Sequence, residues 1–348
     1  MGKATFPSVA RRVSDLIGHT PLLELCRTPT GTRLLLKLEF FNPTGTAKIR
    51  MARQMVLDAE RRGELRAGGR IIESTSGNTG LGLAVLAAER GYQFTAVVDG
   101  HASVDKLRAM RAMGAELIYV TDDGNEGLAT AAREELAARL AEGSHNTIFT
   151  EQHNNPSNAV GYYPVADELC AALPDGINCL IGAVGTGGSL CGTGRMLRAH
   201  YPDVRVVGIE PVGSIAFGGP GGPYHQSGTG TPVGAEIGAL VDFDLIDEGY
   251  KVSDREAFGT ARALARRTGL LIGGSAGGVV WQALAMLEAL PGGSTMVGLV
   301  CDGGEKYLDS VFDDDWMKDR DLLDDGVEAH VDSVLAGFDF ANTRLRAA

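Results

Sequence analysis

The sequence predicts an α/β protein of two lobes. Three observations lead to this. Runs of buried-strand character alternate with runs of helical apolar spacing. Glycine makes up 48 of the 348 residues, well above the usual ~7% share, and it punctuates those runs rather than forming low-complexity stretches. At roughly 100–200 residues per domain, 348 residues suit two lobes.

Taken in order, residues 33–39 (RLLLKLE) read as a buried strand, and Asn42-Pro43-Thr44-Gly45 turns the chain. From Ile49 the apolar positions Ile49, Ala52, Met55 and Ala59 follow a helical period. A strand over 70–74, a polar loop, a helix over 81–90 stopped by Gly91 and a strand over 94–98 make a βαβ unit. A helix at 104–113 and a strand at 116–120 extend it. The second half repeats the pattern: strand 178–184, loop 185–189, helix 190–200, strand 204–210. Helices are expected at 254–268 and 277–290. Residues 213–234 are rich in Gly, Pro, Ser and Thr without periodicity, and a loop of that length in a compact chain is often functional. The chain after Trp316 is acidic and expected to be peripheral. The expected divisions are an N-terminal lobe over 1–155, a C-terminal lobe over 156–320 and an acidic tail over 321–348.

The formal charge of −12, with no basic run longer than an Arg pair, disfavours nucleic acid and anionic membrane as partners. The five cysteines (Cys26, Cys170, Cys179, Cys191, Cys301) include no CxxC pair. Free thiols in a reducing cytoplasm therefore fit better than disulfides or a metal cluster. The N-terminal stretch lacks an apolar signal core, and no run reaches the ~18 apolar residues of a membrane span.

Three loops stand where a strand gives way to a helix, the place where open α/β sheets bind ligands. Gly185-Thr186-Gly187-Gly188-Ser189 offers close backbone approach, successive N–H groups and a helix N-terminus, which suits a phosphate. A tight turn would explain it equally well. A dinucleotide fingerprint, with Glu210 as its acid, is a rival, although Leu190 replaces the third glycine. Ser74-Thr75-Ser76-Gly77-Asn78-Thr79-Gly80 offers hydroxyls, an amide and free N–H groups suited to a carboxylate, more than an ordinary N-cap requires. Asn42–Lys48 places a lysine at a helix start, where a cation opposes the macrodipole; it is either indifferent surface charge or an amine of lowered pKa.

The strings NPTGTAK, ESTSGNTG, GTGGS and GGSAGG, in this order and spacing, resemble the cysteine synthase family, which includes the catalytic core of cystathionine β-synthase. The resemblance runs from DLIGHTPLLEL (15–25) to DGGEKYL (302–308). It implies the tryptophan-synthase-β-like fold, with two three-layer αβα lobes and pyridoxal 5'-phosphate in the cleft between them. By the same resemblance Lys48 matches the Schiff-base lysine and Asn78 the residue beside the cofactor's ring hydroxyl. Gly185, Thr186, Gly187, Gly188 and Ser189 match its phosphate loop, and Ser275 the partner of its pyridine nitrogen. Thr75, Ser76, Thr79 and Gln152 match a clamp for the substrate's α-carboxylate. Gly228 and Gly230 match a glycine turn beside the nucleophile.

The resemblance also implies a reaction. Lys48 acts as general base, a β-substituent leaves an activated serine (O-acetylserine or O-phosphoserine) to give an aminoacrylate, and sulfide or a small thiol adds. An amine nucleophile giving a 2,3-diaminopropionate-type product, or net elimination as in cysteine desulfhydration, stands within the same class. Outside it stand an NAD-dependent oxidoreductase, resting on Gly185–Gly188 and Glu210, and a non-catalytic binder. The resemblance implies a homodimer and no metal. Three departures stand out. Ile49 replaces an acid after the lysine, which could loosen that helix start. His153 follows Gln152 where an aromatic is usual. The 213–234 loop differs most, and there Tyr224 and His225 read as solvent-facing.

Overall fold

The computed structural model describes residues 9–99, 103–120 and 126–340. The first eight residues of the N-terminal stretch and the last eight of the acidic tail lie outside the described residues.

The elements follow the chain as β1 (Leu22–Arg27), β2 (Arg33–Leu38), α1 (Lys48–Arg61), β3 (Arg70–Ser74), α2 (Asn78–Arg90), β4 (Gln93–Val98), α3 (Val104–Ala112), β5 (Glu116–Tyr119), α4 (Glu126–Ala141) and β6 (Thr147–Phe149). They continue as α5 (Pro156–Val160), α6 (Tyr163–Ala172), β7 (Cys179–Ala183), α7 (Gly188–His200), β8 (Arg205–Pro211), β9 (Glu248–Val252), α8 (Asp254–Thr268), α9 (Gly274–Leu287), β10 (Thr295–Val300), α10 (Asp314–Asp319), α11 (Asp325–Gly337) and β11 (Asp339–Phe340). Residues 213–234 form neither helix nor strand, as their composition predicts.

Two sheets result. One has seven strands in the order β11-β1-β2-β10-β7-β8-β9, parallel from β2 to β9. The other has four parallel strands in the order β5-β4-β3-β6. Alternate residues of the large sheet serve opposite faces. Leu34, Leu36, Met296 and Val300 pack under α8 and α9, while Leu35, Val297 and Leu299 pack under α6 and α7. The small sheet is likewise covered on both faces, by Ile71 and Ala96 against α2 and by Ile72 and Val97 against α4.

Helix α1 lies between the two units. Met51 and Met55 join the core of the large sheet, while Ile49, Ala52 and Val56 join that of the small one. All five are fully buried, and burial of each large apolar side chain contributes about 1.5–3 kcal/mol. The residue that opens α1 is therefore held at the junction of the lobes.

Sheet membership does not follow the linear division at residue 155, because β1 and β2 belong to the large sheet. The acidic C-terminal stretch also corrects its expectation. Far from being peripheral, α11 buries Val331 and Leu335 completely, and β11 pairs with β1 at the sheet edge. Its charge misleads because one face is apolar, and Glu328 pairs with Arg262 and Arg266 of α8.

Candidate active site

The site is organised by the end of β10. Strand β10 is buried along its whole length between β2 and β7, and it delivers Cys301 and Asp302 to the point where both lobes meet. The Ala47 N–H donates to the Cys301 carbonyl at 2.7 Å, and Thr46 forms a bridge with Asp302, which fixes the start of α1. The Lys48 N–H donates to Thr46 Oγ1 at 3.3 Å. On the other side, the Gly273 N–H donates to the Asp302 carbonyl at 3.1 Å and sets the turn into α9, where Ser275 lies in the first turn. A side chain at 273 would meet Asp302 Oδ1 at 2.1 Å, so that turn requires glycine. Asn78 Nδ2 donates to Asp302 Oδ2 at 2.8 Å, and the Tyr307 hydroxyl donates to the same oxygen at 2.6 Å. The Cys301 thiol lies beside the Ser189 side chain. Lys48, Asn78, Ser189 and the turn of Ser275, far apart in the chain, thus converge on two residues.

Neither Cys301 nor Asp302 is singled out by the sequence. The string DGGEKYL carries Asp302, but only the pairing of β10 reveals its role.

The Lys48 amine, on a half-buried side chain, makes no ion pair with the described residues. Burial lowers its pKa below the ordinary lysine range, and the nearby Cys301 and Asp302 only partly oppose this. Burial also pushes the Cys301 thiol up to about 12, so it stays protonated at neutral pH.

The glycine loop packs tightly. Gly187 has a φ of +85°, and a side chain there would meet the Leu240 and Val241 backbone at 2.7 Å. A side chain at Gly185 would meet the Gly228 carbonyl at 2.8 Å, and one at Gly188 would meet Asn158. Thr186 Oγ1 accepts from the Gly188 N–H at 3.3 Å and from Asn158 Nδ2 at 3.2 Å. The N-terminus of α7 is therefore closed by the 228 and 240–241 backbone on one side and by the Asn158 and Thr186 side chains on the other. Gly228 and Gly230 come beside it, with φ of +79° and +78°, and the Gly230 N–H and Thr229 hydroxyl both donate to the Val184 carbonyl at 2.7 and 2.9 Å.

Glu210 anchors this long loop. It is fully buried, and the N–H groups of Ala216 and Phe217 donate to its carboxylate, each at 3.0 Å; the Ser214 hydroxyl and the Lys251 amine donate to it at closer range. Committed to the loop, Glu210 leaves the dinucleotide reading without its acid. Tyr224 is half-buried, correcting its expected exposure, and His225 is exposed as expected.

The polar loop is organised by β3 and β6. Thr79 Oγ1 donates to Gln152 Oε1 at 2.7 Å, and Gln152 Nε2 donates to the Ser74 carbonyl at 3.1 Å. Thr75 Oγ1 accepts from the Gly77 and Gly80 N–H groups, both at 3.3 Å. Ser76 Oγ accepts from the Asp99 N–H at 3.4 Å and from Arg133 Nη1 at 3.1 Å. All four predicted clamp residues share this loop or bond to it. Beneath them Glu73 is buried, and burial raises its pKa to about 8 despite hydrogen bonds from Thr150 and the Gln152 N–H.

The missing acid after the lysine does not loosen the helix. Ile49 is core, and Arg50 is buried between Glu39 at 2.6 Å and Glu168 at 2.8 Å, which ties α1 to the segment after β2 and to α6.

Comparison with known proteins places this geometry. The family model described as "Pyridoxal-phosphate dependent enzyme" matches residues 13–302. A provisionally assigned cysteine synthase of Sinorhizobium fredii is 50% identical over 326 residues, 93% of this chain and 97% of that protein. The N-(2-amino-2-carboxyethyl)-L-glutamate synthase of Ralstonia nicotianae is 35% identical over 312 residues, 89% of this chain and 91% of its own. The crystal structure of the Entamoeba histolytica cysteine synthase superposes with a TM-score of 0.82 at 30% identity, covering 97% of this chain and 99% of that one. Among the described residues no helix is long and apolar enough to cross a membrane.

Proposed function

Because the chain belongs to the pyridoxal-phosphate dependent enzyme family, we propose that it replaces the β-substituent of O-acetylserine or O-phosphoserine with a small thiol or sulfide.

The residues present fit the cofactor. A phosphate suits the α7 N-terminus, where three glycines let backbone N–H groups come close and the helix dipole favours an anion. Asn78 Oδ1 is buried without a hydrogen-bond partner among the described residues, which suits a ring hydroxyl. The Ser275 hydroxyl would take the pyridine nitrogen without imposing a charge on it. Lys48 would hold the aldehyde carbon. When bound, the cofactor supplies the electron sink that acidifies the substrate's Cα–H.

The chain's own groups supply the rest. The amine of Lys48, whose charged form is disfavoured by burial, takes the proton from Cα and later returns it there. Thr75, Ser76, Thr79 and Gln152 hold the α-carboxylate and so fix Cα against that amine. Gly228 lies against Gly185 and leaves the approach to Cβ free of side chains on that edge.

The observation that carries this reading is the convergence of Lys48, Asn78, Ser189 and the Ser275 turn on Cys301 and Asp302. The test is to mix holoenzyme with O-acetylserine or O-phosphoserine, follow release of acetate or phosphate, then add sulfide or a thiol and read the product mass. Release followed by a new β-substituted alanine is expected; two inert esters would overturn the reading. Lys48→Ala is expected to lose turnover by about a thousandfold or more with its circular dichroism unchanged.

A second reading, an amine nucleophile, is favoured by the Ralstonia relative, whose name describes an amine-linked product. The same assay run with amines decides between them. The proposal extends to a homodimer in the cytoplasm, which sedimentation checks for the assembly.

A further inference from the structure

Lys106 of α3 has no part in the reaction described above. It is only 7% exposed, and among the described residues its ammonium makes no ion pair and no hydrogen bond. A buried charge in that state is costly unless something else balances it. The Tyr307 ring does so: Lys106 Nζ stands 4.7 Å from its centroid. The ring quadrupole attracts a desolvated cation more strongly than an exposed one. Burial lowers the pKa of Lys106 below the ordinary lysine range; the charge of Asp302 opposes this, Lys306 adds to it and Asp309 opposes it.

The contact crosses the junction of the lobes. Leu107 and Met110, beside Lys106 on α3, lie in the core of the small sheet, and a side chain added at Gly80 of α2 would strike the Met110 sulfur. Tyr307 lies in the core of the large sheet. Beyond the ring the path is one of hydrogen bonds. The Tyr307 hydroxyl and Asn78 Nδ2 both donate to Asp302 Oδ2, at 2.6 and 2.8 Å. Asp302 is 3% exposed, and its Oδ1 has no partner among the described residues. Two side chains of the small unit, Lys106 and Asn78, thus dock on two linked groups of the large one, Tyr307 and Asp302.

A carboxylate only accepts hydrogen bonds, so the amide of Asn78 must turn Nδ2 towards Asp302 and keep Oδ1 for another partner. We propose that Lys106 is a positioning residue: from the opposite lobe it holds the Tyr307 ring, and through the Tyr307 hydroxyl and Asp302 it fixes the Asn78 amide with Oδ1 free to accept from the cofactor's ring hydroxyl. The inference rests on the reading that places Asn78 beside that hydroxyl, and it adds a residue that touches neither cofactor nor substrate. Lys106 acts on the cofactor only through Tyr307 and Asp302, so removing the Tyr307 hydroxyl breaks the relay while leaving the cation over its ring.

The full chain, stripped of cofactor and titrated with pyridoxal 5'-phosphate, tests this. Lys106→Met keeps an unbranched side chain and removes the charge. It is expected to raise the cofactor's dissociation constant about fivefold or more and to shift the absorption maximum of the bound cofactor. Lys106→Arg, which puts a cation back over the ring, is expected to recover most of the loss. Tyr307→Phe keeps the ring and removes the hydroxyl. It is expected to weaken cofactor binding by itself and to leave Lys106→Met with less than about a twofold further effect. A lysine that only supports the fold would lower the melting temperature of the cofactor-free protein, with the dissociation constant unchanged or with the two substitutions adding in full. Either result would overturn the relay, as would Lys106→Arg behaving like Lys106→Met. Asn78→Ala is titrated alongside. If it binds the cofactor as tightly as the wild type and with the same absorption, the placement of Asn78 fails and the relay with it. If Asn78→Ala weakens binding and Lys106→Met does not, the relay alone fails.

Discussion

The glycine loop before α7 and the polar loop before α2 are built on the same plan, a strand end feeding a helix N-terminus, yet they differ in freedom. At Gly187 a side chain would strike backbone at 2.7 Å in a left-handed conformation; at Gly77 no described residue lies within 4 Å of the added atom. The first junction is locked by residues 228–230 and 240–241. The second is held by hydroxyls, an amide and one arginine. A junction closed by backbone suits a group that stays, and one lined by adaptable polar side chains suits a group that comes and goes.

Substitutions sharpen or break this contrast. The largest effect is expected from Gly187→Ala, which combines a positive φ with a backbone clash and should cost about 3 kcal/mol or more together with cofactor affinity. Thermal denaturation and cofactor titration read both. Next is Glu73, beneath the polar loop. Its folded pKa, about 8, lies above the unfolded carboxylate value, so its contribution is fully present below about pH 4.5 and is lost as pH rises towards 8. Glu73→Gln should therefore gain on the wild type across that window, by about 4 kcal/mol at its upper end. Parallel melting curves of the two proteins would contradict this. Ser76→Ala should raise the amino-acid KM by about tenfold while kcat falls less, measured by steady-state kinetics. The smallest effect is expected from Gly77→Ala, within about 0.5 kcal/mol of wild-type stability, since none of the described residues crowds it. Equal losses at 77 and 187 would erase the distinction between the two junctions.

Much of this was readable in the chain. Strands such as 94–98 and helices such as 254–268 carry their period locally, and Ser253 with Glu256 even spells a capping box. The three loops announce themselves by composition. What the sequence hides is non-local. That β2 pairs with β10, some 260 residues on, follows only from the assembled sheet, and with it the convergence of Cys301 and Asp302 on the site. The apolar face of α11 is masked by its acidic surroundings. Arg133 is an unremarkable residue in a helix of weak amphipathic pattern, and only the fold brings it to Ser76.

The central claim is that the amine opening α1 carries the cofactor. Reducing the holoenzyme with borohydride, digesting it and mapping peptide masses tests this directly. The account predicts the phosphopyridoxyl mass on the peptide that contains Lys48, and its absence from the Lys48→Ala variant. The same mass on any other lysine, with Lys48 unmodified, would contradict it.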